Sequence, residues 1–333
     1  MMESQPTSLP SDHLDGPVLL DGPVGVVGGG AVGGWLATLM QCDGWPVTLL
    51  RRPGFCEDRG VSHWSITENS ELKITAEIPC EETDAAGEPF RWLFLAVKAG
   101  DLPAVSKQIC QRINSQTCLV FLGNGLGLTQ SFEDCGSDRF LAASITYGLF
   151  RSKSGEISVR GDGGEITIGP LGNFAEGPDL SLRLTAALSR IGLEAFTVED
   201  GDRVVWQKSI LSAGLNPVCA LLGIENGQLP SSPGFALAKA ASHEAYKVAV
   251  AEGFDLPALE VGSSLAELCE KTATNRCSML QDLDSGFGTE VEWISGAIVR
   301  RGQECGIPTP ANQLLHNLLE EISSGSPVKA IAN

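Results

Sequence analysis

The chain has 333 residues, a length that suits two domains better than one. Apolar residues make up 43% and charged residues 19%, which excludes disorder over most of the length, and no apolar run reaches the about 18 residues of a membrane span. With 23 basic against 41 acidic side chains the formal net charge is −18, which argues against nucleic acid or an anionic membrane surface as the main partner.

The first positive side chain is Arg51. The opening MMESQPTSLPSDHLDGPVLLDG therefore lacks the basic start and apolar core of a secretory signal and the arginines of a transit peptide. Residues 1–20 are expected to form a disordered polar arm and 326–333 a polar tail, in a cytoplasmic protein. The ten cysteines contain no C-x-x-C, and the four histidines do not cluster at ligand spacing. Neither a metal site nor a disulfide framework is expected, and the thiols read as free, small apolar groups.

Residues 23–28 (PVGVVG) are a short apolar run ending in glycine, followed by GGGAVGGWLATLMQCDGW with helical spacing and VTLLRRPG as a second strand. RWLFLAVKA, TCLVFLGNG and FLAASITYGLF are further strand runs, and DLPAVSKQICQRI between the first two has helical spacing. Strands alternating with helices predict a doubly wound α/β domain with a parallel sheet. EISVRGDGGEITIGP reads as a hairpin around Gly161–Gly164. After LEAFTVED the chain turns to long apolar-periodic segments broken by Gly and Pro. A Rossmann-type domain over 21–199 and an all-helical C-terminal domain over 200–325 follow as expectations.

Gly28-Gly29-Gly30-Ala31-Val32-Gly33 fits G-x-G-x-x-G between a strand and a helix, the context of a dinucleotide-binding turn. The first glycine allows the turn, the second admits a pyrophosphate, the third lets helix and strand pack, and the helix N-terminus attracts the anion. An NAD site usually carries an acidic residue at the end of the second strand, about 20 residues on. Here Arg51 and Arg52 stand there, so NADP(H) is expected, a guanidinium fork suiting a 2′-phosphate. Lys98 and Asn124 end two other strand runs, on the edge where ligands of open parallel sheets sit.

In VVWQKSILSAGLNPVCALLG, Lys208, Ser212 and Asn216 are four residues apart, about 40° of rotation per step, and share a helix face. Pro217 gives reason to expect a kink close by. Two readings of Lys208 stay open: an ammonium snorkelling to solvent, or a lysine in a partly desolvated cleft poised to donate a proton. Thr289-x-x-Glu292 fits a capping box, with Glu290 in the first turn, where it can simply complement the helix dipole, and Gly306 with Pro308 as the stop.

Taken in order, GGGAVG, LAVKA, FLGNGLG, WQKSILSAGLNPVCALLG with NGQL, and CSMLQDLDSGFGTEVEWISG with GIPTPAN resemble the ketopantoate reductases (2-dehydropantoate 2-reductases) over nearly all of residues 23–320. The resemblance implies a Rossmann-type domain, a helical domain and an active site in the cleft between them. It implies Lys208 as the acid that protonates the carbonyl oxygen, and Glu290 as the glutamate that positions substrate and cofactor. Asn124 would contact both, and Ser212, Asn216, Asn226, Asn275 and Ser278 would surround the substrate. Cofactor contacts would come from Gly28, Gly30, Ala31, Val32, Gly33, Arg52 as the better match or its neighbour Arg51, Lys98, Asn124 and Glu290. Ser212 departs from the asparagine common in the family and cannot offer both an amide donor and an acceptor, which bears on substrate identity more than on reaction type.

The expected activity is NADPH-dependent reduction of a 2-keto acid, 2-dehydropantoate first, by a monomer or homodimer. Reduction of another keto acid, an opine-type reductive coupling and a non-catalytic NADP(H) sensor are the competing readings. Because both ligands are anions and the net charge is −18, the reading needs Arg51, Arg52, Lys98 and Lys208 to supply local positive charge.

Overall fold

The computed structural model describes residues 20–56, 60–68, 71–152, 155–160, 163–254, 256 and 260–323. The polar tail expected at the end lies outside these residues. So does the expected arm apart from Leu20, which is buried in the core. The chain divides into two compact units, one of residues 1–123 with 128–204, the other of residues 124–127 with 205–333.

The first unit is built on an eleven-stranded sheet. Its strands are β1 (Val24–Val27), β2 (Val47–Arg51), β3 (Val61–Glu68), β4 (Glu71–Glu82), β5 (Trp92–Leu95), β6 (Cys118–Phe121), β7 (Phe140–Ile145), β8 (Gly148–Arg151), β9 (Ile157–Arg160), β10 (Ile166–Pro170) and β11 (Ala195–Thr197). The order is β11-β10-β7-β6-β5-β1-β2-β4-β3-β9-β8. From β7 to β4 every neighbouring pair is parallel. Strands β1, β5 and β6 are buried at every position, as expected of near-continuous apolar runs such as Trp92-Leu93-Phe94-Leu95 covered on both faces. The crossover helices are α1 (Ala31–Cys42), α2 (Leu102–Ile109) and α3 (Gly177–Arg190). Trp35, Leu36 and Met40 of α1 enter the core, and Gly34 meets the Trp64 ring of β3, where an added Cβ would lie 2.1 Å from the indole.

Two expectations are corrected in this unit. The glycine-rich stretch before Ile166 does not join a hairpin: β9 pairs with β8 and β3, whereas β10 pairs with β7 and β11. Residues 161–162 of the expected turn lie outside the described residues, and the strands on either side take their partners elsewhere. The run FLAASITYGLF is also two strands, β7 inside the sheet and β8 at its far edge. The β3–β4 pair, an antiparallel ladder over 61–82, adds to the sheet beyond β2.

The second unit is helical. Its helices are α4 (Gly201–Leu222, whose first turn belongs to the first unit), α5 (Phe235–Ala251), α6 (Val261–Lys271), α7 (Ser278–Asp284), α8 (Ala297–Cys305) and α9 (Pro310–Ser323). A 3-10 turn spans Asn226–Ser231, and a π turn spans Glu292–Gly296 just before α8. Helix α4 continues through Pro217. It approaches α5 closely: a Cβ on Gly214 would lie 2.4 Å from the Ala238 carbonyl oxygen. The buried Ala238, Ala241 and Ala245 on α5 match that small-residue contact.

Helix α9 starts on a carboxylate from α5. Glu244 accepts from the backbone N–H groups of Ala311 and Asn312 at 2.9 and 3.0 Å and from the Asn312 amide at 2.9 Å. Two otherwise orphaned backbone donors and a side-chain amide, which also donates to the Ala241 carbonyl at 2.9 Å, thus converge on one acid at a helix N-terminus. Glu244→Ala is expected to cost about 2 kcal/mol, read as a lower midpoint in urea unfolding with the slope unchanged.

The expected capping box at Thr289 does not form. The Thr289 hydroxyl contacts Ser323 at 3.4 Å, and the Glu292 carboxylate is taken by Arg300 and by His316 at 2.5 Å. Glu292 opens a π turn rather than occupying the third position of an α-helix, so its side chain points away from the place a capping residue needs. Gly306 does end α8 in the left-handed conformation, at φ 71°.

Candidate active site

In the first unit the glycine turn assigns each glycine a different task. Gly28 has φ 110°, and a Cβ there would lie 2.5 Å from the Ala96 carbonyl oxygen on the segment after β5. A Cβ on Gly33 would lie 2.0 Å from the carbonyl oxygen of Gly28, so helix and strand could not pack. Gly30 differs: its φ of −81° suits any residue, and a Cβ would meet nothing within 4 Å. The protein itself gains no room from glycine there, whereas a phosphate approaching the backbone does. Gly30 caps α1, no side chain caps that end, and the first turn, which holds Ala31, Val32 and Gly33, has no acidic residue. The turn therefore fits the pyrophosphate of a dinucleotide.

Arg51, the last residue of β2, lies against the turn: a Cβ on Gly29 would sit 3.1 Å from its Nε. Arg52 is exposed and stacks over the Phe55 ring at 5.1 Å. Arg151, at the end of β8, stacks over Trp64 at 5.0 Å. Burial lowers its pKa, and the positive charge of Arg51 lowers it further. No sequence signal singled out Arg151, because the strand that carries it reaches the sheet edge only in the folded topology. Lys98 is half-buried and precedes a 3-10 turn at Ala99–Asp101, three residues beyond β5.

In the second unit, three of the residues named from sequence come together. The loop 124–127 docks on the π turn: the Leu126 N–H donates to the Trp293 carbonyl at 3.0 Å, and a Cβ on Gly125 would lie 2.5 Å from that oxygen. This docking brings the Asn124 amide to Glu290, where Nδ2 donates to Oε2 at 3.2 Å. Glu290 is only 9% exposed. Lys208, on α4, is held down to about 8 by burial, while the Glu290 carboxylate pulls it back up. Part of its side chain stays accessible. An ammonium whose pKa is near 8, facing a fixed carboxylate, can release a proton readily near neutrality.

Ser212 and Asn216 follow Lys208 at one and two helical steps, half-buried and buried respectively. Cys277 donates to the Asn216 carbonyl at 3.5 Å and caps α7 by accepting from the Leu280 N–H, so exposed Ser278 begins α7 beside Asn216. Asn226 is engaged in the scaffold: its Nδ2 donates to Thr272 at 2.9 Å, and its N–H to the Asn275 carbonyl at 3.0 Å. Among the described residues, Glu292, His316 and Glu320 place potential ligand atoms within 4.8 Å of one another, but both Glu292 oxygens already serve Arg300 and His316. No helix among the described residues is long and apolar enough to cross a membrane.

Residues 24–173 match the family described as Ketopantoate reductase PanE/ApbA, and residues 200–323 match Ketopantoate reductase PanE/ApbA C terminal. The 2-dehydropantoate 2-reductase of Archaeoglobus fulgidus is 30% identical over 305 residues, 91% of this chain and 98% of that protein. That of Pyrococcus horikoshii is 27% identical over 90% of this chain and 98% of its own length. Among solved structures, the PanE/ApbA family ketopantoate reductase from Ralstonia eutropha JMP134 superposes with a TM-score of 0.79 at 24% identity, covering 91% of this chain and 99% of that one. A D-mandelate dehydrogenase in a ternary structure with NADH and anilino(oxo)acetate superposes with a TM-score of 0.82 at 21% identity, with the same coverage.

Proposed function

Since the chain belongs to the ketopantoate reductase PanE/ApbA family and is an oxidoreductase that uses a nicotinamide cofactor, we propose that it reduces 2-dehydropantoate to (R)-pantoate with NADPH, with Lys208 as general acid. The observation that carries the reading is the cluster of Lys208, Glu290 and Asn124. The nicotinamide, when bound, supplies the hydride to C2. Lys208 hydrogen-bonds the ketone oxygen and gives up its proton as the alkoxide forms, and it recovers one from solvent afterwards. Glu290 favours the charged form of the lysine, and the Asn124 amide fixes the orientation of the carboxylate. Asn216, Ser212 and Ser278 contribute polar groups for the substrate hydroxyl and carboxylate.

The acid must be protonated to act, so the direction of the pH dependence is set. Because Lys208 is lowered to about 8, kcat/KM for reduction should be level below that pH and fall about tenfold per unit above it. A profile level to pH 10 would remove Lys208 from the acid role.

Arg51 is proposed to hold the 2′-phosphate of NADPH, with Arg151 as a second positive group. Its contact with the glycine turn favours it over Arg52, which is committed to Phe55. A hydrogen bond to a charged group is worth about 1.5–3 kcal/mol. Arg51→Ala should therefore weaken NADPH roughly ten- to hundredfold in a binding titration while NADH affinity changes little. Equal loss for both cofactors would mean that Arg51 supports the fold and not the phosphate.

One observation favours a second reading. Ser212 stands where an amide is expected, leaving a shorter side chain beside the substrate. The chain would then prefer a 2-keto acid other than 2-dehydropantoate. Initial rates of NADPH oxidation over a panel of branched and aryl 2-keto acids decide the matter. The proposal expects 2-dehydropantoate to have the highest kcat/KM, and a higher value for any other keto acid favours the second reading.

A further inference from the structure

The first unit contains a pair of thiols with no part in the chemistry above. Cys56 lies on the loop that continues from Arg51 and Arg52, and Cys80 lies on β4, next to β2 in the sheet. Their Sγ atoms are 2.7 Å apart. A disulfide bond of about 2.04 Å needs them to close by well under an ångström. The backbone around them is fixed at several points: the Thr83 N–H donates to the Arg51 carbonyl at 2.8 Å, the Gly54 N–H to Glu82 Oε1 at 2.7 Å, and the Cys80 N–H to the Gly60 carbonyl at 2.7 Å. Cys80 is buried, whereas Cys56 is half-buried and can be reached by a small reagent.

We propose that Cys56 and Cys80 form a dithiol site that a low-molecular-weight disulfide oxidises reversibly, and that the resulting bond tightens the binding of NADPH by fixing the segment that follows Arg51 at the end of β2. The thiolate of Cys56 attacks one sulfur of the external disulfide and releases one thiol. The thiolate of Cys80 then attacks the Cys56 sulfur and releases the second. Two protein thiols lose two protons and two electrons, and the external disulfide becomes two thiols. A dithiol reductant reverses both exchanges.

The link to the cofactor rests on the proposed role of Arg51. Its guanidinium lies close enough to draw the Cys56 pKa downward, against burial, the Cys80 thiol and Glu82, which together hold Cys56 up to about 12. The thiolate is scarce at neutral pH, so bond formation should be slow at pH 7 and speed up as pH rises. The bond spans 24 residues and adds a covalent tie beside hydrogen bonds that can open, so the end of β2 is held in the cofactor-free protein and less freedom is lost when a phosphate orders the Arg51 side chain.

The test treats the purified protein with oxidised glutathione at pH 8.5, maps its disulfides by peptide mass spectrometry, and titrates NADPH and NADH before and after. The expected result is a Cys56–Cys80 linked peptide, lost on adding dithiothreitol, and NADPH binding tightened at least threefold with NADH binding unchanged. In Cys56→Ser neither change should occur. Only glutathione adducts, or no reaction, would overturn the site. A linked peptide with unchanged NADPH affinity would overturn its effect on the cofactor. If the reduced protein binds NADH as tightly as NADPH, the reading of Arg51 fails, and with it the effect on NADPH, whereas the mass measurement still decides whether the dithiol site exists.

Discussion

Lys208→Ala should lose about two to four orders of magnitude in kcat, the usual contribution of a positioned general acid, while NADPH affinity stays within about threefold. The two effects separate because the residues that fit the cofactor belong to the glycine turn and the end of β2, while Lys208 lies on α4 and is lowered to about 8 by its own surroundings. Removing a half-buried ammonium also leaves Glu290 as a nearly buried carboxylate that accepts from Asn124 without the nearby positive charge. Lys208→Met keeps most of the length and removes the ammonium, and should lose as much activity as alanine. A variant with kcat near that of the parent protein would show that the proton comes from elsewhere.

The second large effect distinguishes two glycines that a motif treats alike. Gly33→Ala would place a methyl group 2.0 Å from the Gly28 carbonyl oxygen, a backbone atom that cannot rotate away. Overpacking of this kind should cost roughly 3 kcal/mol or more, a fall in Tm of about 10 °C, with cofactor binding lost along with the fold. Gly30→Ala meets no protein atom within 4 Å, so it should lose at most about 1 kcal/mol as a poorer cap. Its NADPH affinity should still fall on the order of tenfold or more, because the methyl group occupies the space a pyrophosphate needs. Thermal unfolding with and without NADPH reads both quantities. An unaltered NADPH response in Gly30→Ala would mean that the turn is a tight connector and nothing more.

The contrast between these glycines shows how far the sequence could be read. Gly28 and Gly33 are required by backbone approaches that the strand–turn–helix pattern already implies, and the parallel strands follow from apolar runs too short and too continuous for helices. The β3–β4 ladder was missed because its alternating burial, with His63 exposed between buried Ser62 and Trp64, gives a weak period-two signal among turns. The hairpin misreading at Gly161–Gly164 has a different cause. Turn chemistry is local, whereas the choice of strand partner is made across the sheet. The box at Thr289 failed for a similar reason, since His316 and Arg300, distant in sequence, draw Glu292 away.

The candidate site divides in the same way. Lys208, Glu290 and Asn124 were named from motifs. The bond from Asn124 to Glu290 spans 166 residues and depends on Gly125 fitting beneath the Trp293 carbonyl, which no spacing rule contains. Arg151 was invisible for want of any motif, and the electrostatic influence of Arg51 on it arises only in the folded chain, since three strands stand between β2 and β8 in the sheet order. The global charge of −18 is compatible with anionic ligands because Arg51 and Arg151 supply local positive potential in one unit and Lys208 does so in the other.

The most direct measurement is a single-turnover reaction of the purified chain with 2-dehydropantoate and NADPH carrying deuterium at the reactive carbon of the nicotinamide. The expected product is (R)-pantoate with the label at C2, formed by the parent protein and about two to four orders of magnitude more slowly by Lys208→Ala. Recovery of unchanged keto acid alongside bound NADPH would contradict the proposed activity.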